Sequence, residues 1–296
     1  MKVERESDPV SATQEGQRGT GERRAIARFL RRKSAVAGVA IVVFLILFSF
    51  IGPLLYPTNQ VTTNLAVANR PPSGAHLLGT SNVGYDVLGR LMVGGQSALE
   101  VGIGAALIAI LIGTWWGALA GYFGGWIDSI LMRVADSVLA IPALLLVLLL
   151  GTIIRPSVPV LIVEIGVISW AVPARLVRGE TLSLRVREFV EASKGAGASG
   201  RWIVMRHMIP NVVGVIVVQA TLSIANSIAL FAVISYLGLG PPAPATNWGA
   251  MLSNGLNFVY DGFWWEIYPA GVAIVLAVVA FNFIGEGLRD TLEIRD

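Results

Sequence analysis

Six stretches of this chain are apolar over lengths that match a bilayer, and that feature limits its fold more than any motif. They run at roughly 34–56, 98–121, 129–154, 157–178, 211–236 and 266–288. A helix of about 20 mostly apolar residues spans the hydrocarbon core of a membrane. The stretches at 129–154 and 157–178 are nearly continuous, with Arg155-Pro156 as the turn between them. Only 14% of the residues are charged and 54% are hydrophobic, where ordinary soluble domains carry about a quarter charged residues. One soluble core cannot hide that much apolar surface. The expected class is an all-α polytopic membrane protein with six transmembrane helices.

Charge placement then orients the chain. Lys/Arg excess marks the cytoplasmic side of a membrane protein. Six basic residues lie between Arg23 and Lys33, and seven lie between Arg175 and Arg206. The 57–97 segment carries two, the turn at 155 one, and 237–265 none. With an even number of spans, both termini and the 179–210 loop face the cytoplasm, and 57–97 and 237–265 face outward. The organisation reads as a disordered then basic cytoplasmic tail at 1–33, and a first span with an extracytoplasmic segment at 34–97. A five-helix core follows at 98–288, with a cytoplasmic C-terminus at 289–296.

Several functions are excluded on residue content. The net charge of +3 is better read as a topology signal than as a nucleic-acid footprint. There are no cysteines, hence no disulfide, thiolate metal site or cysteine nucleophile. His76 and His207 are far apart, so no histidine-rich metal site is expected. The only lysines are Lys2, Lys33 and Lys194, and none follows a glycine. A Walker A loop therefore has no place here, and ATP and Mg2+ are not expected to bind this chain. No Ser/His/Asp set or H-E-x-x-H motif suggests an enzyme.

The longest basic loop holds TLSLRVREFVEASKGAGASGRWIVMRHMIP, residues 181–210. It reads as two short helices with a break. The first, at about 184–196, groups Ala192, Ala196 and Ser199 as a small-residue face. Gly197 suits a helix C-terminus that needs positive φ. Ser199 suits the N-cap of the next helix. That helix mixes Trp202, Ile203, Met205 and Ile209 with Arg201, Arg206 and His207, an interfacial composition. Pro210 suits the first turn of the span that follows. On the residues alone, the loop is either a solvated segment whose charges fix topology or a docking element rimmed by Glu188, Glu191 and Lys194.

Glu191-Ala192-Ser193, three residues, Gly197, then Ile209-Pro210 resembles the EAA loop of ABC-importer permeases. The pattern there is E-A-A, three residues, G, nine residues, I, one residue, L-P. Ser193, His207 and Ile209 depart from it, and the spacing is intact. Further stretches are similar to the dipeptide/oligopeptide/nickel branch, second-permease type. They include Leu78-Gly79-Thr80, Gly121-Tyr122-Phe123-Gly124-Gly125-Trp126, Ala174-Arg175-Leu176-Val177-Arg178-Gly179, Arg206-His207 with Pro210-Asn211, Tyr236-Leu237-Gly238-Leu239-Gly240, and Gly287-Leu288-Arg289-Asp290. Relatives usually carry Asp where Ser81 stands, Arg where Tyr85 stands, and an acidic residue near Phe231.

The resemblance implies the type I ABC-importer transmembrane fold in a bacterial plasma membrane. It implies a second homologous permease subunit as partner, so that two subunits form one path, and the branch favours a heterodimer. It also implies two ATP-binding-cassette ATPase subunits, which bind ATP and Mg2+, and an extracytoplasmic substrate-binding protein. By the same resemblance the ATPase-coupling loop comprises Glu188, Glu191, Ala192, Ser193, Lys194, Gly197, Ala198, Ser199, Arg206, His207 and Pro210. The implied cargo is a di- or oligopeptide, with nickel or another small solute as the alternative.

Charged residues inside spans are functional candidates by default. Arg133 and Asp136 lie three apart on one helix face, which predicts a mutual ion pair or a subunit contact. Glu164 lies about seven residues into the fourth span and is a candidate path residue. A self-contained secondary transporter would need coupling-ion residues within spans and an inverted repeat. One isolated mid-span carboxylate and no evident repeat argue against it.

Overall fold

The computed structural model describes residues 27–293. The expected disordered tail, Arg23 and Arg24 of the basic cluster after it, and residues 294–296 lie outside them. Among the described residues there is no strand, only one isolated antiparallel bridge between Thr80 and Asp86. Four helices are long and apolar enough to cross a membrane: α1 (Lys33–Leu55), α2 (Val87–Phe123), α9 (Val213–Leu239) and a last one beginning at Trp264. Two bent pairs bring the number to six if each is one span. They are α3 (Gly125–Ala140) with α4 (Ala143–Ile153), and α5 (Val158–Ser169) with α6 (Ala171–Arg185). Between α6 and α9 lie α7 (Glu188–Gly195) and α8, which consists of Gly200–Ile203, Val204–Met208 and Ile209–Asn211 end to end. After α9 come α10 (Trp248–Leu256) and α11 (Tyr268–Glu293).

α2 is the axis of the bundle. It packs along α5, α6 and α9, with α11 against α9 and α1 against α11. Its 37 residues make a helix about 55 Å long at about 1.5 Å per residue, well beyond a bilayer core of about 30 Å. The helix begins at Val87, eleven residues earlier than the apolar pattern suggests. Asp86 caps it by accepting from the Gly89 N–H at 2.8 Å. The early turns are glycine-rich and polar, which hides them from a hydropathy reading. Packing overrides the weak propensity of Gly94 and Gly95: a Cβ there would press on Trp248, Asn247 and Ser49.

A glycine seam seats α6 on α2. Gly113, Gly117 and Gly121 recur every fourth residue, so they share one face. Cβ atoms added to them would come within 2.6, 2.3 and 2.7 Å of Pro173, Ala174 and Thr181 respectively. Small residues at such crossings let helix backbones approach closely.

Prolines account for the irregular turns. The span expected at 129–154 is bent: Ile141 is extended ahead of Pro142, and the helix axes turn by 79°. Proline disfavours a helical residue before it. Three widened π turns, Leu47–Ile51, Val204–Met208 and Ser235–Leu239, each end two residues before a proline, namely Pro53, Pro210 and Pro241. In the first two, the residue before the proline donates five residues back, Gly52 to Leu47 and Ile209 to Val204. Widening the turn displaces the carbonyl that the proline ring would strike.

Candidate coupling loop and its supports

The loop between α6 and α9 folds onto the end of α2 as a small core of its own. α7 is shorter than the expected 184–196 helix, because α6 runs on to Arg185 and a turn at Val186–Arg187 separates the two. Val190 points inward and is fully buried with Ile203, Val204 and Met208, against Ala118, Tyr122 and Val177. Burying a side chain of this size contributes about 1.5–3 kcal/mol. Lys194 lies over the Tyr122 ring, 5.6 Å from its centroid. Val190 and Lys194 are one helical turn apart, so they tether one face of α7 and leave the other free.

The C-terminal end of α7 is a Schellman turn. Gly197 takes φ +81°. Its N–H donates to Lys194 O at 2.9 Å, and the Ala198 N–H donates to Ser193 O at 3.1 Å. Ser199 then caps α8, accepting from the Trp202 N–H at 3.4 Å. Both local expectations hold. The expected small-residue face is interrupted: Ala192 and Ala196 are exposed on α7, but the turn at Gly197 moves Ser199 to the next helix. Pro210 sits in the last turn of α8, ahead of the break at Val212 rather than inside α9.

The free face of α7 carries Glu188 and Glu191 in its first turn, where acidic side chains suit the helix dipole. Both are exposed, and neither forms an ion pair among the described residues. Phe189, Trp202 and Met205 are also exposed beside them. Ser193 and His207, fourteen residues apart, meet: Ser193 Oγ lies 3.2 Å from His207 Nε2. Arg206 projects outward, next to His207. The sequence reading missed Phe189 and Tyr122 as supports. The apolar pair Phe189-Val190 inside a charged helix was the available sign.

The charged candidates within the bundle are arranged differently from expectation. Asp136 pairs with Arg175 of α6 at 2.6 Å and not with Arg133. Arg133 is exposed and makes no ion pair among the described residues. A second pair went unforeseen: Arg178 grips Asp128 with both Nε and Nη2, at 2.5 and 2.6 Å. Sequence spacing favoured the near partner, whereas the crossing of α3 over α6 supplies the true ones. Glu164 faces the interior of the bundle, 7% exposed, with one carboxylate oxygen lacking a partner among the described residues.

At the opposite end of the bundle, Ser81, Asn82, Tyr85, Arg90, Asn254 and Glu266 line a small cleft. Arg90 stacks over Tyr85 at 4.0 Å. Glu266 is 5% exposed. Ser81 and Tyr85, the two positions at which relatives usually carry charge, are thus neighbours. Trp265 and Trp248 fasten this end by donating to Thr80 O and Leu91 O at 3.2 and 2.9 Å.

Known proteins match nearly the whole chain. The family described as binding-protein-dependent transport system inner membrane component matches residues 109–295. The N-terminal transmembrane domain of oligopeptide transport permease C matches residues 23–72. The chain is 41% identical over 266 residues to the dipeptide transport system permease protein DppC of Bacillus subtilis, covering 90% of this chain and 83% of that one. It is 39% identical over 269 residues to the oligopeptide transport system permease protein OppC of the same organism, covering 91% and 88%. It is 40% identical over 271 residues to OppC of Escherichia coli, covering 91% and 89%.

Proposed function

The chain belongs to the binding-protein-dependent transport system inner membrane components, and on that premise we propose that it is one of two permease subunits of an ABC importer for di- or oligopeptides. Its relatives' names supply the substrate class. In this reading α7 and the start of α8 face the cytoplasm and seat an ATPase subunit. The second permease completes the path, and an extracytoplasmic binding protein delivers the peptide.

The single observation that carries the docking role is the division of α7 into two faces. One is fixed through Phe189, Val190, Ser193 and Lys194; the other presents Glu188, Glu191 and Ala192 to solvent. A rigidly mounted helix whose free face is acidic and small suits a protein partner, and its charges fix register more than they add affinity. ATPase closure would then displace α7 as a body.

Co-purification with the ATPase subunits tests this. Glu191→Ala is expected to weaken ATPase association about tenfold. Gly197→Val is expected to do so too, by straining the turn about 1–2 kcal/mol at positive φ; no atom stands within 4 Å of the added Cβ. Undiminished association and ATP-dependent uptake in both variants would refute the docking role.

A further inference from the structure

His207 and Ser193 make a polar joint between the two halves of the loop. The Ser193 hydroxyl donates to Phe189 O at 2.8 Å. A hydroxyl has one hydrogen to give. Its contact with His207 therefore runs the other way, with the imidazole Nε2–H donating to Ser193 Oγ at 3.2 Å. The imidazole is held from both sides: Phe189 packs at 5.6 Å between centroids, and Trp202 meets it edge-on at 5.1 Å. Within α8, Asn211 Nδ2 donates to the main-chain carbonyl of His207 at 2.6 Å. The His207 side chain is thus held from α8 against α7 by Ser193 and Phe189.

The placement matters because α7 is flanked by two different spans. On one side the Val186–Arg187 turn connects it through the backbone to α6. On the other, the chain passes through the Schellman turn at Gly197. Across that turn, Ser193–His207 is the side-chain hydrogen bond that joins α7 to α8. α8 leads through Val212 into α9, with the Val212 N–H bonded to Met208 O at 3.2 Å.

We propose that His207 is a positioning residue: its bond to Ser193 makes α7 and α8 one rigid body, so that motion of the docked helix reaches α9 as well as α6. The inference rests on the docking role proposed above and adds where the motion goes. Without the joint, α7 meets α8 only through the apolar contacts of Val190 and Phe189, and less of its motion reaches α9.

The test uses the full complex of both permeases, the ATPases and the binding protein, in liposomes with radiolabelled Ala-Ala. The readout is peptide imported per ATP hydrolysed. His207→Ala and Ser193→Ala are each expected to lower that ratio about fivefold, with assembly and ATP hydrolysis retained. The double variant is expected to fall no lower than the worse single one, because both remove the same bond. His207→Gln, whose amide N–H stands near the lost Nε2–H, is expected to restore most of the ratio. An unchanged ratio in both single variants would overturn the joint, as would losses that multiply in the double variant. If His207→Ala fails to assemble, Ser193→Ala decides, since it removes only a hydroxyl. A wild-type chain that does not bind the ATPases refutes the docking role itself, whereas a coupled wild type with indifferent variants refutes only the joint.

Discussion

Asp128 and Asp136 lie two turns apart on α3 and each meets an arginine of α6, yet they are expected to matter unequally. The Asp136–Arg175 side chains are about half exposed, at 54% and 52%, and such pairs contribute about 0.2–1 kcal/mol. Asp128 is 16% exposed and gripped at two points; hydrogen bonds to charged groups contribute about 1.5–3 kcal/mol. Asp128→Ala should therefore lower the melting temperature in detergent by several degrees, and Asp136→Ala by little. Equal shifts would contradict the geometry. These pairs also mark where the sequence stopped being legible. Gly197 and Ser199 obey rules that act within a few residues, so turn and cap were readable. The Asp136 partner is 39 residues away, and no local rule selects Arg175 over the nearer Arg133.

At the scale of an element, the seam between α2 and α6 gives the sharpest contrast. Gly117→Ala places a methyl 2.3 Å from Ala174 O, while the same change at Gly179 meets nothing within 4 Å. Overpacking of this kind costs about 1–3 kcal/mol. An exposed helical Gly→Ala is worth about 0.5–1 kcal/mol in the other direction. Thermal unfolding should separate the two substitutions in sign. The spacing of Gly113, Gly117 and Gly121 was visible in the sequence, but a reading guided by charge and hydropathy passes over it. The bend at Pro142 makes a second prediction. Pro142→Ala should let α3 run on into α4, so spin labels at Ile130 and Leu149, both exposed, should move apart. An unchanged separation would assign the bend to packing rather than to the proline. The start of α2 was illegible for a different reason: glycine and polar residues weaken the apolar signal there, and only burial against Trp248 restores the helix.

For the whole molecule, the orientation set by the basic clusters can be tested directly, because the chain contains no cysteine. Ala196→Cys and Asn254→Cys stand at opposite ends of the bundle, both exposed. A membrane-impermeant maleimide should label the second in intact cells and the first only in inverted vesicles; the reverse pattern would invert the topology. The six-span class and the permease family were both legible, since they rest on patterns extended along the chain. The cleft that gathers Ser81, Tyr85 and Glu266 was not, since it depends on loops meeting across the bundle. The glycine seam also bears on how the molecule is made. Sixty residues separate Gly121 from its contact Thr181, which at about 5–20 residues per second is roughly 3–12 s of translation. Throughout that interval α2 stands in the membrane with its groove unfilled. The nascent chain is then most open to wrong pairing or to a quality-control protease, and the arrival of α6 ends that exposure.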